Sequence, residues 1–132
     1  MNRHVVLAFI ADVLLVVVFA AIGRASHDEG VFGPGGGGLL ETSWPFLLGL
    51  IAGWLVTLGW RHPIAPVRTG LGVWIVTVAG GMLLRALSGQ GTALAFIIVA
   101  AVTLLVLLVG WRMMAWVVAW IVARAQIRRL VD

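Results

Sequence analysis

The feature that most constrains this chain is a set of four long apolar runs, separated by short segments that hold most of its charge. A helix needs about 20 apolar residues to cross the hydrocarbon of a bilayer. Backbone polar groups in lipid must be satisfied within the segment, so such runs fold as helices. The pattern predicts spans over residues 5–22, 44–60, 69–87 and 92–112, the last with room to run further. Composition agrees: the chain is 62% hydrophobic and only 11% charged. A soluble domain is nearer half apolar and a quarter charged. The expected fold is therefore all-α: one integral membrane four-helix bundle over residues 1–132.

Arg3 and His4 precede the first run, as in a signal peptide. The length of the run and the acid within it, Asp12, favour a retained span.

All nine basic residues are arginines. Arg3 precedes the first span, Arg61 and Arg68 separate the second from the third, and Arg112, Arg124, Arg128 and Arg129 follow the fourth. The segment between spans one and two mixes Arg24 with Asp28, Glu29 and Glu41, and the last turn, 88–91, is uncharged. Positive segments stay cytoplasmic, which predicts a multi-pass plasma-membrane protein with both termini inside. The arginines form no run or face, so nucleic-acid binding is not expected. Without cysteine there is no disulfide or thiolate site.

Tryptophans cluster near the expected boundaries: Trp44 outside, and Trp60, Trp111, Trp116 and Trp120 inside. An interfacial belt accounts for them. The glycine-rich stretch 31–38 has neither the preceding strand nor the Gly-Lys-Ser/Thr of a nucleotide loop. It reads as a flexible connector.

The two halves resemble each other. Gly59-Trp60-Arg61 ends the second span and Gly110-Trp111-Arg112 the fourth; Phe46 and Phe96 precede these at similar distances. Gly23-Arg24-Ala25 ends the first span and Leu84-Arg85-Ala86 the third. Two tandem hairpins related by a pseudo-twofold axis along the membrane normal would produce this. Arg24 and Arg85 would then share the outer boundary, and Arg61 and Arg112 the inner one, all snorkelling to headgroups. Residues 113–123 are apolar and precede Arg124. They either lengthen the fourth helix or lie along the membrane as an interfacial helix.

Asp12 is the sharpest candidate site. An acid near mid-span is expensive and raises a functional hypothesis by default. Counting ~1.5 Å per residue brings Trp54, Thr77 and Thr103 to a similar depth. Two readings stand: a packed hydrogen-bonding group, paired with Arg85 or Arg112, or a site that exchanges a proton or cation. Depth counting assures it no cationic partner, because those arginines lie on opposite sides of it. A second polar group forms the outer cluster of Arg24, His27, Glu41 and Arg85, open to an anion or a headgroup. A third sits at the inner boundary: Arg61, Trp111 and Arg112. No metal, haem or other cofactor is expected, because His4, His27 and His62 lack ligand spacing. No catalytic arrangement can be placed, and an enzyme is not expected. Gly49 and Gly53, four apart, and Gly80-Gly81 predict close helix packing within the chain or in a dimer.

At these residues the chain resembles a prokaryotic membrane family, domain of unknown function 3054. The similar features are Asp12, Gly23-Arg24 with His27, Trp44-Pro45-Phe46 with Gly49, Gly81-Met82 with Leu84-Arg85, Phe96, and Gly110-Trp111-Arg112. The resemblance runs over roughly residues 5–112 and implies a four-span membrane protein with no assigned activity. The layout is also analogous to that of small multidrug exporters, whose first span carries a carboxylate. The leading functional expectation is a small transporter or channel using Asp12. The alternative is a non-catalytic scaffold that holds lipid or a partner membrane protein. The expected partners are membrane lipid and a second copy or another membrane protein.

Overall fold

The computed structural model describes residues 2–27 and 29–132. Asp28, part of the expected outer charge balance, lies outside them. Four helices long and apolar enough to cross a membrane carry the fold: α1 (Arg3–Ser26), α2 (Gly38–Thr57), α3 (Pro66–Leu87) and α4 (Leu94–Val131). They run alternately up and down. One end of the bundle therefore holds both termini and the α2–α3 loop, and the other holds the α1–α2 and α3–α4 elbows.

Local chemistry sets the boundaries. Asn2 caps α1 by accepting the N–H of His4 at 3.2 Å. α2 starts at Gly38, before the Trp44 expected from hydropathy, because a helix tolerates polar Glu41, Thr42 and Ser43 in its first turns. Pro45 sits inside it, and a proline removes the bond to the carbonyl four residues back. That carbonyl, Glu41, accepts the side-chain amide of Gln90 at 3.2 Å instead. The helix ends at Leu58 in a left-handed conformation (φ 52°). Gly59 follows it, where a Cβ would lie 2.8 Å from the Trp54 ring.

The tightest packing is between α2 and α3. A Cβ at Gly49 would sit 2.8 Å from the Thr77 carbonyl and 3.1 Å from the Gly81 amide, and one at Gly53 would meet Val73 at 3.1 Å. A side chain at Gly81 would enter the Phe46 ring. The small residues thus work within the chain, bringing two backbones together. Phe19, Phe46 and Phe96 close the core toward the elbows, with Phe19 edge-on to Phe46 at 5.2 Å.

Helices α3 and α4 each contain a π-helical turn, over Pro66–Leu71 and Leu105–Val109. Beyond the second of these, α4 continues as one helix to Val131. Its 38 residues span about 57 Å, nearly twice the ~30 Å hydrocarbon core. From Met113 onward every residue except Ala115 is exposed. Of the two forms considered for the extension, the chain takes the continuous helix.

Gly49→Ala should lower the unfolding midpoint in detergent, at a cost of about 1–3 kcal/mol for overpacking. Gly110→Ala, with a helical backbone and nothing within 4 Å of its added methyl, should leave the midpoint no lower and raise it slightly through helix propensity.

Candidate functional site

The charged centre of the bundle is an ion pair. Asp12, on the inward face of α1, and Arg112, on α4, are both fully buried. The Arg112 guanidinium meets the carboxylate with two parallel bonds, Nη2 to Oδ2 at 2.6 Å and Nη1 to Oδ1 at 2.9 Å. Bidentate charge-assisted bonds of this kind are short and strong. Two indoles complete the set: Trp54 Nε1 donates to Oδ2 and Trp111 Nε1 to Oδ1, each at 2.8 Å. A carboxylate has about four lone-pair positions, and all of Asp12's are used.

Arg112 is held as firmly. Its Nε donates to the Pro63 carbonyl at 2.9 Å and Nη1 also reaches the Leu108 carbonyl at 2.9 Å. Gly70, in the π-turn of α3, leaves room for it, since a Cβ there would lie 3.2 Å from the arginine Cδ. The pair therefore ties α1, α2, α4 and the α2–α3 loop together.

Two expectations change here. Depth counting left Asp12 without an assured cation and sent Arg112 to the headgroups. Helical side chains lean toward the helix N-terminus, which carries the Arg112 head back into the bundle, and its length covers the remaining depth. Trp111 likewise turns inward to Asp12 instead of marking a boundary, while Arg61 and Trp60 remain exposed. The Gly-Trp-Arg repeat thus places its two arginines in opposite environments.

Of the expected mid-depth layer, Trp54 joins Asp12. Thr77 is buried, but its hydroxyl has no hydrogen-bond partner among the described residues, and Thr103 is half-buried on α4. Neither is bonded to the carboxylate. Trp74, which sequence reasoning passed over, links α3 to α4 by donating to the Ala101 carbonyl at 2.8 Å.

The elbow end carries the second group, and here the two halves do match. Arg24 Nε donates to the Gly30 carbonyl at 3.0 Å, and Arg85 Nε to the Gly91 carbonyl at 2.9 Å. Each glycine lies six residues after its arginine. The residue before it also repeats: Arg24 Nη1 pairs with Glu29 at 3.2 Å, and Arg85 Nη1 donates to Gln90 Oε1 at 2.9 Å. The backbone amides of Glu29 and Gln90 bond back to the carbonyls of Arg24 and Arg85. The shared Arg, then Glu or Gln, then Gly spacing was present in the sequence and is the signal that could have revealed these elbows. Arg24 also donates to Thr42 at 3.0 Å. The glycine stretch is more than a connector, because Gly33 and Gly38 leave space that the Arg24 guanidinium fills. His27 ends α1 and lines the pocket between the elbows. Glu41 joins the group through its backbone carbonyl, its side chain lying at the exposed start of α2.

These features define a four-span membrane protein with a closed ion-pair clasp at its centre. A model of the family described as "Protein of unknown function (DUF3054)" matches residues 9–115, and the chain belongs to that family. No curated protein and no solved structure matches it. The matched segment includes both partners of the clasp and both elbows, and stops where α4 leaves the bundle.

Removing one partner of a buried pair strands the other charge. Arg112→Met should therefore cost about 3–5 kcal/mol in detergent unfolding. The double variant Asp12→Leu, Arg112→Met should regain a large part of that loss, although two indole N–H groups lose their acceptor. Equal stability of the single and double variants would show that the charges are not coupled.

Proposed function

We propose that this chain is a non-catalytic membrane scaffold in a prokaryotic plasma membrane, with both termini cytoplasmic, and that its C-terminal helix engages anionic lipid of the inner leaflet. The observation that carries this reading is the overhang of α4. The helix leaves the bundle bare, with Met113, Met114, Trp116, Val117 and Val118 all 40% or more exposed. A perpendicular helix would hold much of this surface in water; tilting or bending lets lipid cover it, and the charge of the headgroups then sets how closely the tail is held. Trp120, with Arg124 stacked over its ring at 4.2 Å, marks the polar end of the covered stretch. Arg124, Arg128 and Arg129 then face a surface where each basic residue gains about 1 kcal/mol from anionic headgroups.

Two further observations support the reading. Arginine is concentrated at the end of the bundle that holds the termini, which favours that end in the cytoplasm. Asp12 already accepts four hydrogen bonds, and proton or cation exchange at this site would require breaking the clasp. A parallel dimer through the tail would bring like-charged arginines together, which favours lipid over a second copy as the occupant.

The chain has no cysteine, so Val118→Cys supplies a single reporter. In bilayers rich in phosphatidylglycerol, its reaction with a water-soluble maleimide should be about tenfold slower than in phosphatidylcholine alone. Replacing Arg124, Arg128 and Arg129 by Gln should abolish the difference. Equal rates in both bilayers, or protection that tracks cross-linking between copies, would overturn the reading. Proteoliposome proton flux should be at background for wild type and Asp12→Asn alike; flux lost on Asp12→Asn would restore a transport role.

A further inference from the structure

We propose that the pocket between the two elbows binds a phosphate oxyanion at the membrane surface opposite the termini. The pocket has a volume of about 260 Å³ and lies between Arg24 and Arg85, with Glu29, Thr42 and His27 on its wall and Phe19 and Phe96 behind. That is room for a headgroup-sized anion and less than the ~300–1,000 Å³ of a site for a larger organic ligand.

Three features point to an anion. Both guanidiniums are oriented before any ligand arrives: each is pinned through Nε to a glycine carbonyl and through Nη1 to the side chain of the next residue back. Arg85 is held further by its stacking on Phe96, 4.2 Å from the ring centroid. Pre-orientation lowers the ordering cost of binding. Among the described residues, neither Nη2 group donates to the protein. Arg24 Nη2 packs into the space left by Gly33 and Gly38, so the donor to spare on the cavity wall is that of Arg85. Arginine forks match phosphate geometry.

The asymmetry between the elbows supplies the charge. In the first, Glu29 offsets Arg24. In the second, neutral Gln90 takes the equivalent place, and no carboxylate among the described residues lies within ion-pair distance of Arg85. Glu29 also acts on Arg85 across the pocket, so the two arginines share one carboxylate and the described lining keeps a net positive charge. The apolar wall of Phe19 and Phe96 suits an anion carried on a lipid, while the polar rim would also accept a free phosphoester.

The test uses the full chain with Arg124, Arg128 and Arg129 replaced by Gln, so that lipid held by the tail does not enter the result. Phosphatidylglycerol is titrated against it in a neutral detergent and followed by native mass spectrometry. One lipid should bind, and Arg85→Gln should weaken it about tenfold or more, as expected for loss of one charged fork. Gln90→Glu is the second variant. It keeps the acceptor used by Arg85 Nη1, as Glu29 does for Arg24, and answers the charge of Arg85, while giving up the amide bond to the Glu41 carbonyl. It should weaken binding comparably, and more than Gln90→Leu, which gives up the same bond without adding charge. Unchanged affinity in Gln90→Glu, with its unfolding midpoint intact, would overturn the proposal, as would absence of any bound lipid or phosphoester. Glycerol 3-phosphate supplies the second arm. If it binds alone and displaces the lipid, the natural ligand class is a free phosphoester; if only the lipid binds, it is a headgroup.

Discussion

The bidentate bond between Asp12 and Arg112 is the interaction on which the rest of the bundle depends. It joins the first helix to the last across 100 residues of sequence, at full burial. Charges in such a place are stable only when paired and fully hydrogen-bonded. Their requirements explain neighbouring features that otherwise look unrelated. Trp54 and Trp111 bring indole N–H groups to the carboxylate, Pro63 presents a carbonyl to the guanidinium, and Gly70 leaves a channel for the arginine stem. The π-turns of α3 and α4 lie beside this clasp: Gly70 in the first leaves room for the Arg112 stem, and the Leu108 carbonyl in the second accepts from Arg112 Nη1. π-turns are frequent at sites of this kind.

Arginine serves a different purpose at each level of the molecule. In the centre, Arg112 neutralises an acid and ties helices together. At the elbows, Arg24 and Arg85 fold their own loops around themselves by bonding to glycine carbonyls ahead in the chain. On the tail, Arg124, Arg128 and Arg129 are exposed, and apart from the stacking of Arg124 on Trp120 they have only the surroundings to engage. The fixed charge and planar fork of the guanidinium suit all three roles, and the difference between them is burial. The two hairpins are alike at the elbows and unlike at the opposite end, where Arg61 is exposed and Arg112 is not. The likeness extends from the turns to the paired Phe46 and Phe96 and ends toward the termini.

The bundle and the tail obey separate constraints. The bundle is closed: its small residues interlock, its central charges are satisfied, and its aromatic cluster fills the space toward the elbows. The tail buries nothing against it. A helix of this length cannot remain both straight and upright in a bilayer, so what covers it decides how the protein sits in the membrane.

Hydropathy alone determined four spans, an all-helical fold and the presence of a costly acid near mid-membrane, because lipid leaves an apolar chain few alternatives. The glycines of α2 and α3 announced close packing, and Asp12 with Trp54 was legible as a shared depth. Sequence could not tell which arginine answers Asp12. That choice turns on where helices α1 and α4 face each other and on the length and lean of the Arg112 side chain, and linear depth counting contains neither. Nor could it separate Arg61 from Arg112, two arginines in matching Gly-Trp-Arg triplets, because burial is a property of neighbours that only the folded bundle supplies. The elbow motif was written in the chain as a spacing of Arg, Glu or Gln, and Gly. Its meaning, two oriented guanidiniums lining one pocket, arose when the tertiary structure brought the hairpin turns side by side.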